Sequence, residues 1–213
     1  MYVRAAIVLV LGCLIASGVI IDRIAILVGN SIVKDSDIDR DLRVTSFLNN
    51  QPLDLGAKAR KTAANRLIDQ IFIRKEIEIG DYPVATRREA DAQLDQLISN
   101  RFKTEAALQE ALRRYGITPP DLRSHFLWQL TVLRFIDTRF KPAVLVSDAD
   151  IEAYYKLHAA AFREKHPAQS SLEEVRSEVS DILVGQRVDK VFFAWLDEQR
   201  KQAKIKYFEG ALQ

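Results

Sequence analysis

Between Val19 and Leu42 the chain alternates before it coils. Ile24, Ile26 and Val28 fall at period two, and Ile32 and Lys34 keep that spacing after Gly29-Asn30-Ser31. Residues that tolerate positive φ sit at the break, so the pattern predicts a β-hairpin. From Ser36 the period changes. Ser36 and Asp39 have the form of a capping box, and Asp37 suits the positive end of a helix dipole. A helix is expected from about Asp37 to Leu48, facing inward through Ile38, Leu42, Thr45 and Phe47. Asn49-Asn50-Gln51-Pro52 breaks it.

Helical spacing governs the middle of the chain. Ala64, Leu67, Ile68, Ile71, Phe72 and Lys75 trace one stripe of a helix over 57–79, with Gly80 at the expected C-terminal cap and Pro83 beyond. Thr86 and Glu89 form a second capping box, ahead of Ala90, Leu94, Leu97 and Ile98 on one face. Thr104 opens a helix with Ala107, Leu108, Ala111 and Leu112 inward and Gly116 just past its end. Thr118-Pro119-Pro120-Asp121 starts another, which runs to about Phe140 through Leu122, Phe126, Leu130, Leu133 and Ile136. Pro142 stops it.

After an extended Val144–Val146, Ser147 caps a helix expected to reach Arg163, with Asp148, Asp150 and Glu152 near its start. A polar connector over 164–170 leads to a last capping box, Ser171 with Glu174. The final helix carries Val175, Val179, Ile182, Leu183, Val188, Phe192 and Leu196 to about Ala203. Lys204–Phe208 alternates again and is expected to pair with the hairpin, because two strands alone are marginal. The fold class is therefore mainly α, with a small antiparallel β-sheet formed by an N-terminal hairpin and a C-terminal strand.

The first residues change the picture of where the protein works. Arg4, the apolar run Ala5–Ile15 and the small residues Ala16-Ser17-Gly18 form an export signal over 1–18, cut after Gly18. Two other readings stand beside it: an uncleaved membrane anchor, and a lipoprotein modified at Cys13. Cys13 is the only cysteine, so cleavage leaves no thiol and no disulfide framework. Net charge is +2, with both signs interspersed. No block of like charge argues for nucleic acid.

Catalytic patterns are missing. Asp35-Ser36-Asp37-Ile38-Asp39 mimics a calcium loop, but Arg40 stands where that loop needs glycine and Ser46 where it needs glutamate. His125, His158 and His166 have no second histidine at metal-ligand spacing. There is neither a nucleophile elbow nor a glycine-rich phosphate loop. No catalytic, cofactor or metal residue is assigned. Aromatics remain, and most belong to the core. Phe126 and Trp128 lie two apart on one helix, as do Phe193 and Trp195, so each pair cannot share a face. Phe102, Tyr115, Phe126, Trp128, Phe135 and Tyr154 are the candidate residues for binding apolar segments.

The opening VIIDRIAILVGNSIVKDSDIDRDL resembles the start of mature SurA-type periplasmic chaperones. Val146-Ser147-Asp148-Ala149-Asp150-Ile151 resembles the phrase before the inserted parvulin isomerase domain of that family. Ser171–Val175 through Trp195-Leu196 and Ile205-Lys206 resembles the helix and strand that resume after the insert. The resemblance implies a SurA N-terminal-like peptide-binding domain over 19–145, completed by helices and a strand over 146–213. It also implies an exported holdase for unfolded envelope and outer-membrane proteins, working without ATP or cofactor. Membrane contact is expected only through a retained signal or a lipid. The connector near 164–170 is far shorter than the hundred or so residues of a small domain, so isomerase activity is not expected. A prolyl isomerase and a dedicated assembly subunit are the alternative readings.

Overall fold

A computed structural model describes residues 22–167, 170–208, 210 and 212. The expected export signal over 1–18, with Cys13, lies outside the described residues. Seven α-helices and a three-stranded antiparallel sheet make up the described chain. None of these helices is long and apolar enough to cross a membrane.

The sheet has the order β2-β1-β3, so the last strand closes against the first. β1 (Ile24–Val28) and β2 (Ser31–Lys34) turn at Gly29, whose φ of 59° is where a side chain would be strained. β3 (Ile205–Tyr207) pairs Tyr207 with Ile26 and Ile205 with Val28. The Gly29 N–H donates to the Lys204 carbonyl at 3.0 Å and extends that seam. The register slips between Ile24 and Ile26, and both Ala25 and Ile26 end up fully enclosed. A bulge thus breaks the simple alternation. Ile24 is left exposed, and in β2 it is Val33, not Ile32 or Lys34, that faces the core.

α1 (Asp35–Leu48) begins one residue before Ser36, so the expected cap is corrected. The Asp37 carboxylate accepts the Lys34 N–H at 3.0 Å. Ser36 is drawn instead to Asp22, donating its hydroxyl at 2.6 Å, and Asp39 is taken by Arg60. Val44, not Thr45, completes the buried face.

α2 (Ala57–Gly80) continues through Gly80, and the left-handed residue that ends it is Asp81, with φ of 49°. Gly80 is needed for another reason: the Tyr82 ring occupies the space its Cβ would take. Ile73 and Ile77 are buried, whereas Lys75 is exposed.

α3 (Arg87–Leu97) carries the Thr86–Glu89 capping box and runs into a π-turn over Ile98–Phe102. α4 (Glu105–Tyr115) is capped by Thr104 and ended by Gly116 at φ 64°. α5 (Pro119–Arg139) buries Leu122, Phe126, Thr131 and Phe135, so Leu130 and Leu133 are not the inward positions. Leu133 is 53% exposed. The reason is Thr131, whose Oγ accepts the Ala85 N–H at 3.1 Å and donates to the Leu127 carbonyl at 2.8 Å. That anchor rotates the stripe by about one position.

Three apolar cores result. The first joins the sheet, α2, the second half of α5 and the end of α7 (Leu172–Gln202). The second joins the end of α1 to α3, α4 and the start of α5. The third lies between α6 (Asp148–Lys165) and the first half of α7.

Candidate functional site

Leu67, Ile71 and Arg74 line one flank of α2 at i, i+4 and i+7, while Ala64, Ile68 and Phe72 on a neighbouring face fill the first core. A helix apolar over so wide an arc cannot bury everything against one neighbour. Its spare face looks across at Asp121, Ser124, His125 and Trp128 of α5. The space between is an open groove in two halves.

The half near the sheet encloses about 290 Å³ and is bounded by Ile32, Val33 and Val44 from β2 and α1. The other half encloses about 440 Å³ and is bounded by Ile77, Glu78, Val84, Ala85, Leu127 and Thr131. Arg74, Ser124 and Trp128 border both. Volumes of this order are large enough to take a few side chains of a ligand. The Thr131 hydrogen bond pins the connector that carries Val84 and Ala85. Arg134 donates to the Val84 carbonyl at 2.7 Å and holds it from outside.

Charge along the groove is mostly internally balanced. Arg66 donates to Asp41 at 3.1 Å. Arg40 stands 3.4 Å from Asp121 and 3.9 Å from Asp37. The Arg74 guanidinium lies over Trp128, 3.9 Å from the ring centre, a cation–π contact. Partial desolvation by the groove walls lowers the Arg74 pKa from its ordinary value, and Glu78 opposes that shift. Burial also lowers the His125 pKa, with Asp41 pulling it up and Arg66 pushing it down. His125 is therefore a neutral wall at pH 7.

Of the six aromatics singled out from sequence, only Trp128 lines this groove. Phe102 and Tyr115 pack on Phe47 in the second core, with ring centres 5.7 and 5.6 Å away. Phe126 is buried in the same core. Phe135 is fully enclosed among Tyr82, Phe140 and Trp195, leaving no ring face for a ligand. Tyr154 sits on α6, stacked on His158 at 4.0 Å. The six are not one surface. Arg74, Ile71, Ile77 and Val84 line the groove without having been singled out. Their signal was the excess apolar width of α2, with an arginine inside it.

Among the described residues no cluster of His, Cys, Asp or Glu could hold a metal ion. The acids of Asp35–Asp39 are spent on Arg60, Arg23 and the Lys34 N–H.

No protein-family model matches the chain, and no curated protein matches it either. Among solved structures it is similar to one of two structurally related SurA-like chaperones of Campylobacter jejuni, the virulence factor PEB4 and the periplasmic protein Cj1289. The match has a TM-score of 0.56 at 13% identity and covers 89% of this chain and 100% of the other. The fold is SurA-like: a helical module closed by a small antiparallel sheet.

Proposed function

We propose that this chain is an ATP-independent chaperone of the periplasm that holds unfolded envelope and outer-membrane proteins in a soluble state. The observation that carries the reading is the open groove between α2 and α5, mostly apolar in the half bounded by Ile77 and Val84, mixed apolar and charged in the half near the sheet, and set in a SurA-like fold. Extended segments would lay alternate side chains into the two halves, while the intervening side chains face solvent. Nothing in this use requires a cofactor or a nucleotide. The chain passes from α6 to α7 through residues 166–171 alone, and we assign it no prolyl isomerase activity.

The test combines two assays on one preparation of the full chain. Suppression of aggregation of a denatured outer-membrane protein at near-stoichiometric ratio, without faster proline-limited refolding, is the expected result. Trp128→Ala, which strips the shared wall of the groove, should weaken suppression several-fold. Accelerated proline isomerisation would overturn the non-enzymatic reading. Absence of both effects would replace it with a subunit dedicated to one partner.

A further inference from the structure

Among the described residues, Arg74 is a groove cation that the walls do not neutralise. Arg40 has Asp121 and Asp37, and Arg66 has Asp41. Arg74 has no carboxylate within ion-pair distance among the described residues. Glu78, one turn further along α2, is near enough to raise its pKa but not to pair with it. The Arg74 guanidinium carbon lies 3.9 Å from the Trp128 ring centre, and among the described residues no hydrogen bond takes up its N–H donors.

We propose that Arg74 and Trp128 form a carboxylate-binding station at the middle of the groove, selecting extended polypeptide segments that carry an acidic side chain between apolar neighbours. This rests on the client-binding reading and narrows it. A guanidinium held over an indole is preorganised for a carboxylate, because the cation–π contact limits its movement without using its N–H donors. Ser124 borders both halves beside it and offers a further hydroxyl. Apolar side chains flank it on both sides: Leu67, Ile71 and Ile32 toward the sheet, set among ion-paired Arg40, Asp37 and Asp121, and Ile77, Val84 and Leu127 away from it. A chain end bound at Arg74 would leave one half empty, so the carboxylate belongs to a side chain of a segment that runs through. Neighbouring residues of that segment then fill the apolar parts of the two halves.

The experiment uses the full chain and two fluorescein-labelled peptides, acetylated and amidated to remove their end charges. Both are extended and apolar, one with a central Glu and the other with Gln. The Glu peptide is expected to bind wild type about tenfold tighter than its isostere, and high salt should shrink the ratio. The ratio should fall to about one in Arg74→Gln, survive in part in Arg74→Lys and grow in Glu78→Gln. Arg74 is exposed, so unchanged thermal melts are expected of its variants. Equal binding of the two peptides to wild type, or a preference retained in Arg74→Gln, overturns the station. A Gln peptide with a free C-terminal carboxylate that binds tighter than the Glu peptide overturns the choice of side chain over chain end. If neither peptide binds but a denatured protein is still held, only this inference falls. If nothing is held, the client-binding reading falls with it.

Discussion

Arg60 stands 8% exposed between α1 and α2, donating to Asp39 and, at 3.1 Å, to Asp35. Asp35 also accepts from Arg23 at 2.7 Å, so charges from distant parts of the chain fix the entry to α1. A guanidinium removed from water is costly unless its donors are used, and removing it takes the cation from Asp39 and leaves Asp35 with Arg23 alone. Arg60→Ala should cost about 2–3 kcal/mol, read as a lower urea midpoint at constant slope. Arg60→Met keeps the bulk and should lose nearly as much, since charge rather than volume is at stake. A loss below about 0.5 kcal/mol in both, the range of ordinary surface changes, would show that the cluster is solvated and weak. None of this was legible in the sequence. Asp35, Asp37 and Asp39 read as capping acids because local spacing cannot reveal that Arg60 folds back onto them.

Helix ends were the most legible elements, since their signals lie within a few residues. The Thr86, Thr104, Thr118, Ser147 and Ser171 starts all lead into the helices expected of them, and Val175, Val179, Leu183, Val188, Phe192 and Leu196 are the buried stripe of α7. Glycines were ambiguous because conformation and packing use them alike. Gly116 has φ 64° and faces the Arg43 guanidinium, so Gly116→Ala should destabilise by about 1 kcal/mol or more. Gly185 lies inside α7 with nothing near its missing Cβ. Gly185→Ala should therefore stabilise by up to about 1 kcal/mol and raise the melting temperature by about 2–4 °C. Opposite signs at the two sites are the expected outcome of thermal melts, and a loss at Gly185 would mean that α7 needs the flexibility there. The start of α6 adds a pH signature. Asp150 accepts from the Ser147 N–H at 2.9 Å and hydroxyl at 2.7 Å and pairs with Arg187 at 2.7 Å, which lowers its pKa from 3.8 to about 2. An acid so depressed contributes stability above its ordinary value and loses it as pH falls through the folded value. The stability gap between wild type and Asp150→Asn should hold down to about pH 4 and close towards pH 2. A gap that ignores pH across that window would show that the Asp150 charge does not stabilise this cap.

At the scale of the molecule, α7 does two jobs along one helix. Val188, Phe192 and Leu196 belong to the first core, and Val175, Val179 and Leu183 to the third. The groove depends on the first and second cores, which share α1 and α5, and not on the third. Sequence periodicity found each helix but not this division, because a stripe says that a face is buried and not against what. The same limit hid the groove, where Leu67 and Ile71 look like ordinary core positions until α5 is placed opposite them. Among the described residues, the third core has five buried residues against seventeen in the first, and no strand reaches it. Arg187 ties it to the body by donating to the Leu145 carbonyl and pairing with Asp150. Few buried contacts mean a low free energy of local opening, so this hairpin should open while the sheet stays closed. Native-state hydrogen exchange should show amides of α6 and of 172–183 exchanging through openings of lower free energy than those of β1 and α2. Phe162, 5% exposed in the third core, gives the discriminating variant. Phe162→Ala should reduce protection of α6 by about a hundredfold, the equivalent of about 3 kcal/mol, while β1 keeps its own. Equal loss at both places would mean one cooperative unit, in which the sheet, the groove and the hairpin open together.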